Sequence, residues 1–150
     1  MSQVNSAVVA NELLGLAREE NRGLTPLKLV KLVYLCEGWS LALRDKSIIR
    51  EEVEAWQYGP VVPTLYAKIR KFKATPVTLI ECGDGDVSED QKELITSVYN
   101  AYKHLTGMQL SDLTHQPGTP WSQVWDENNR KQVIPTALIQ DHFKELAAAG

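Results

Sequence analysis

One stretch of the chain limits the architecture more than any other. Residues 24–45, "LTPLKLVKLVYLCEGWSLALRD", are apolar around most of a helix circumference, with only Lys28, Lys31 and Glu37 interrupting before Ser40. Thr25 suits the cap and Pro26 the first helical position. A helix with so little polar face has to be covered, so residues 26–43 are expected to form a central core helix. The remaining chain must wrap around it. At 150 residues the chain is long enough to do so as one domain spanning 1–150.

The wrapping elements follow from periodicity and caps. Residues 5–23 read as a first helix, capped by Asn5 or Ser6, with Val9, Leu13, Leu16 and Ala17 at helical spacing and Gly23 as a stop. Residues 47–58 partly alternate and predict a strand, with Val53, Ala55 and Gln57 facing one way and Glu54, Trp56 and Tyr58 the other. A helix over 62–72 carries Leu65, Tyr66, Ile69 and Phe72 on one side. Residues 76–81, "PVTLIE", predict a second strand able to pair with the first, followed by a polar turn over 83–86. Ser88 and Gln91 form a capping box for a helix over 88–107. A short helix over 111–116 would take Ser111 as cap. Residues 117–125 open as a turn, 126–132 read as a polar loop, and a last helix starts at Pro135 with Ile139, Phe143 and Leu146 as its stripe. The fold class expected is mostly α, of the α+β kind: a compact helical domain around the central helix, with a small antiparallel sheet.

Composition excludes several classes. With 43% apolar and 23% charged residues, the chain is ordinary for a soluble globular protein. No apolar run approaches the ~18–20 residues that cross a bilayer, and the N-terminus lacks the basic start of a secretory signal. No membrane association is expected, and cytoplasmic localisation fits. Net charge is −3, with the basic excess in the first half and the acidic excess in the second, a polarity suited to steering a charged protein partner. "KIRKFK" (68–73) is the one basic cluster, and it reads as a solvated helix end. A nucleic-acid binder would carry a heavier basic face, so direct DNA binding is not expected.

Chemistry-bearing patterns are few. "DGDVSED" offers Asp84, Asp86 and Ser88 to a calcium loop, but Glu89 and Ile95 stand where glycine and the bidentate carboxylate belong. Cys36 and Cys82 have no metal spacing, and the histidines His104, His115 and His142 show no paired-ligand motif. Neither metal nor cofactor is expected. Ser111, Asp112 and His115 invite a catalytic reading, yet no nucleophile elbow accompanies them. His115 reads instead as a structural hydrogen-bonding residue near Trp121, and an enzyme using Asp112 and His115 is the distant alternative. The ending "KELAAAG" reads as alanine helix propensity closed by glycine, though it also resembles the apolar ends that AAA+ proteases engage.

Residues 55–66, "AWQYGPVVPTLY", are the most unusual stretch. Gly59 permits backbone angles other residues resist, and Pro60 and Pro63 fix φ, so adjacent aromatics are held rigidly. Trp and Tyr are strong interface anchors. Tyr58, Gly59, Pro60, Val61, Pro63 and Tyr66 are therefore candidate partner-binding residues. Trp56, Val61 and Leu65 equally suit a core; for Trp56 that placement is expected, while Tyr58 and Tyr66 fit either role.

Three blocks, "LTPLKLVKLVYLCEGWSLAL", "EEVEAWQYGPVVPTLY" and "LSDLTHQPGTPW", resemble in order the signatures of the Panacea domain. That family includes SocA-type antitoxins and phage-associated GepA-like proteins. Residues 24–121 carry the resemblance, and Lys31, Trp56, Tyr58, Gly59, Pro60, His115 and Trp121 are its matched positions. The resemblance implies a largely helical fold and a non-enzymatic antitoxin that binds a cognate protein toxin encoded by the adjacent gene, in phage-defence or prophage settings. The SocA branch implies an alternative, an adaptor delivering its toxin to a cytoplasmic AAA+ protease. Some members carry an added DNA-binding domain, for which this chain has no room.

Overall fold

A computed structural model describes residues 3–82 and 85–149. Gly83 and Asp84, part of the expected polar turn and of the rejected calcium loop, lie outside the described residues, as does Gly150 of the terminal tail. Among the described residues the order is α1 (Ser6–Glu19), α2 (Pro26–Arg44), β1 (Val53–Trp56), β2 (Gly59–Val61), α3 (Pro63–Ile69), α4 (Glu89–Tyr102), α5 (Gly107–Thr114), α6 (Pro120–Val124), β3 (Gln132–Ile134) and α7 (Thr136–Ala149). The fold is mostly α with one small antiparallel sheet, as expected.

α2 is the axis of the molecule. Thr25 caps it and Pro26 starts it, and its middle turns, including Leu29, Leu32, Val33 and Cys36, are fully buried. α1, α4, α5 and α7 all pack on it. α7 comes closest at Gly38, where an added Cβ would lie 2.3–2.5 Å from the Phe143 ring. That ring also meets Tyr34 and Trp39 edge-on, at 5.8 and 5.3 Å. Buried Glu37 accepts from the backbone N–H groups of Ile48 (2.9 Å) and Ile49 (3.2 Å), holding the chain that leaves α2. Burial raises its pKa, and these hydrogen bonds oppose the rise.

The sheet has strand order β2-β1-β3, with Trp56 opposite Gly59 and Val53 opposite Ile134. It corrects the expected pairing. Residues 76–81 are not a strand, because side chains take the place of a neighbouring strand. Asn11 both donates to the Ile80 carbonyl (2.7 Å) and accepts from its N–H (3.2 Å). Arg18 and Lys68 donate to the carbonyls of Thr78 and Glu81, at 3.4 and 3.2 Å. β1 pairs with β2 and β3 instead, and β3 begins within the expected loop 126–132.

Several boundaries also move. The strand expected over 47–58 contracts to Val53–Trp56, with Ile49 only bridging Val4. The helix expected over 62–72 is α3 extended by a 3-10 turn, Arg70–Phe72. The Ser88–Gln91 capping box is present, but α4 ends at Tyr102. A second capping box, Thr106 with Gln109, starts α5, so Ser111 lies inside that helix rather than capping it. The turn expected over 117–125 contains α6, capped by Thr119.

Candidate functional site

β1 and β2 are joined by a two-residue turn, Gln57 and Tyr58. Three carbonyls at alternate residues, Trp56 just before the turn, Tyr58 within it and Pro60 just after it, would be costly to leave unpaired where buried. Each is taken by a side chain from a different part of the chain. Trp121 Nε1 donates to the Trp56 carbonyl at 2.6 Å. Ser111 Oγ donates to the Tyr58 carbonyl at 2.6 Å. Lys31 Nζ, from the second turn of α2, donates to the Pro60 carbonyl at 2.8 Å. The three sequence blocks thus converge on the backbone of residues 56–60.

Glycine at position 59 is needed twice over. Its φ is +120°, and a Cβ there would sit 2.8 Å from Lys31 Nζ and 3.3 Å from Thr114 Oγ1. Pro60 gives up an N–H, which β2 can spare as an edge strand. Lys31 is 1% exposed, and burial alone lowers its pKa from 10.5 to about 7. The turn is braced from behind as well. The His115 ring meets Trp121 edge-on at 5.2 Å, with Nδ1–H on the Ser111 carbonyl. Trp121 in turn stacks on Trp125, with centroids 5.5 Å apart.

The outer surface of this scaffold is aromatic. Tyr58 projects from the turn with 67% of its surface exposed, beside exposed Gln57. Trp56 is half-buried on the outer face of the sheet, packed against the margin of the core rather than enclosed in it. Its Nε1 donates to Glu54 (2.9 Å), its ring meets Tyr66 edge-on at 5.6 Å, and the Lys131 ammonium lies 4.9 Å over its face. Tyr66 and Pro63 are likewise half-buried. Gly59, Pro60 and Val61, named with them from the sequence, are buried beneath and offer no side-chain surface.

Sequence reasoning missed Ser111 as a ligand of the turn, Thr114 beneath Gly59, and Lys131 over Trp56. Ser111 lies in the "LSDLTH" block, but spacing does not reveal where a hydroxyl points. The same geometry disposes of the Ser111–Asp112–His115 relay: the hydroxyl is committed to Tyr58, the ring to a backbone carbonyl, and Asp112 is exposed. The arrangement holds a shape; it does not polarise a nucleophile. Among the described residues no group of three or more His, Cys, Asp or Glu is placed to hold a metal ion. No described helix is long and apolar enough to cross a membrane.

Comparison with known proteins agrees with the convergence of the three blocks. A family model described as antitoxin SocA-like, Panacea domain, matches residues 29–122, more than half of the chain. The chain is similar to the protein "Antitoxin SocA" of Caulobacter vibrioides (strain NA1000 / CB15N), with 27% identity over 134 residues, covering 81% of this chain and 70% of that protein. No solved structure matches the chain at a significant level.

Proposed function

The chain belongs to the antitoxin SocA-like, Panacea domain family, and from that membership we propose that it neutralises a protein toxin, the product of an adjacent gene, by binding it directly in the cytoplasm. The observation that carries this reading is the turn itself. Three long-range hydrogen bonds fix its backbone, while the Tyr58 side chain projects from it with 67% of its surface exposed. A rigid, exposed aromatic loses little entropy on binding, which is what an interface anchor needs. In this reading Tyr58, Tyr66 and the rim of Trp56 and Pro63 touch the toxin. Gly59, Pro60, Val61, Lys31, His115 and Trp121 act from beneath as positioning residues.

Co-expression with the adjacent reading frame tests it, scoring growth, co-purification and toxin level. Rescue with a stable complex and unchanged toxin level is the expected result, and Tyr58→Ala should weaken both while leaving the melting temperature within a degree or so. Toxin loss that depends on this protein would replace sequestration with delivery to an AAA+ protease. A harmless neighbour and no complex would defeat the reading.

A further inference from the structure

α2 is apolar on nearly every side, and among the described residues one sector of it, between α4 and α7, is incompletely covered: Leu43 is exposed and Trp39 half-buried, while Leu35 lies buried at its base. Leu35, Trp39 and Leu43 recur there at four-residue spacing, about 12 Å of helix. At the α5 end the sector opens into a cavity of about 590 Å³, walled by Leu113, Phe143 and Leu146. At the other end it continues as a shallower depression of about 140 Å³ toward Leu43. Trp39 and Tyr102 line both parts and are tied together, Trp39 Nε1 donating to the Tyr102 hydroxyl at 3.1 Å, so the floor is continuous. Leu43, Leu113 and Leu146 are 56%, 40% and 42% exposed, a clustering of apolar surface that marks interaction sites.

Charge narrows what can cover it. No lysine or arginine lines either part, and Glu145 is the one carboxylate among the lining residues. Glu93, one turn before Ser97 on α4, and Asp141, one turn before Glu145 on α7, are exposed and form no ion pair among the described residues. Asp112 beside Leu113 is the same. Arg44, next to Leu43, pairs with Asp90 at 2.9 Å, and Lys144, next to Glu145, pairs with Asp45 at 2.6 Å. We propose that this trough receives an amphipathic helix of a partner protein, apolar side down on Trp39, Leu43 and Leu146, with lysines or arginines along its flanks. Helix-in-groove recognition uses anchors at this spacing, and acidic walls select a cation-flanked helix over an anionic one. That the natural partner is the toxin rests on the antitoxin reading; the chemistry of the trough does not.

Two measurements test it. A labelled peptide of about 16 residues, with leucines at helical i, i+3/i+4, i+7 spacing and lysine flanks, is titrated with the full chain by fluorescence anisotropy, beside a twin with glutamate flanks. The lysine peptide should bind roughly tenfold tighter or better and weaken with salt. The double variant Leu43→Glu/Leu146→Glu should abolish that binding while melting like the wild type, since both leucines are exposed. Equal binding of the twins, no binding of either, or binding unchanged in the variant overturns the proposal. So does a homodimer in sedimentation that the variant disperses, because a second copy would then be the occupant. In the complex with the neighbouring-gene product, the double variant should lose co-purification. A complex kept by the double variant but lost by Tyr58→Ala overturns the trough's role and leaves the antitoxin reading intact. Failure of the wild type to form any complex defeats the antitoxin reading alone, and the peptide result still decides the trough.

Discussion

The β1–β2 turn and the trough between α4 and α7 present surface in opposite ways. At the turn, polar side chains from three distant places capture alternate backbone carbonyls, those of Trp56, Tyr58 and Pro60, and a single aromatic projects. At the trough the surface is whatever α2, α4, α5 and α7, with the short segment 116–119, leave open between them. The turn's shape is therefore a property of the whole fold, sensitive to changes far from it in sequence. The trough's shape belongs to helix packing, and its exposed leucines can change without disturbing it. One surface is costly to alter and the other is easy to alter, which suits a constant scaffold beside an adjustable contact.

The largest test of that contrast is Gly59→Ala. It combines positive φ with a Cβ against Lys31 and Thr114, and should cost about 3 kcal/mol in chemical denaturation. A loss as small as that of a surface variant would mean the turn yields like any loop. Lys31 gives an effect of a different kind, one spread over pH. Its native pKa of about 7 lies below the ordinary 10.5, so between those values the unfolded chain binds a proton that the native chain has released. Stability should thus rise with pH across that window, by about 1 kcal/mol per unit, and level off below it. In Lys31→Met the rise should vanish; an equal rise in both proteins would place its origin elsewhere. Ser111→Ala, which leaves the Tyr58 carbonyl without its donor, should cost about 1 kcal/mol. Smallest in stability is Tyr58→Ala, below about 0.5 kcal/mol, though it should be the most damaging of the four per unit of stability lost when toxin binding is measured.

Much of the fold was legible where the code is local. Thr25, Pro26 and the Ser88–Gln91 box set helix starts through contacts within one turn, and the apolar run of α2 demanded a central position. What was missed depends on distant partners. Gln132–Ile134 is too short to signal a strand by itself and becomes one only because Val53–Ala55 lies alongside. Residues 76–81 carry strand-favouring residues, but the Leu24 carbonyl and the side chains of Asn11, Arg18 and Lys68 take up their backbone groups. At the site, the aromatics and the rigid turn were readable, since Gly and Pro carry their constraint wherever they stand. Which of them face outward was not: Pro60 and Val61 turn inward because Lys31 draws the Pro60 carbonyl toward α2.

The seating of Phe143 against Gly38 divides α7 mechanically. Up to that ring the helix is bolted to the core; past it, residues 144–149 are exposed, and Lys144–Asp45 is the one ion pair there among the described residues. Tension applied to the C-terminal end would peel about one and a half turns and then arrest at the ring. Leu146 and Ala149, in the part that peels, also wall the trough. A ligand seated there and a pull on the tail would therefore oppose one another, each felt by the other through the same few residues.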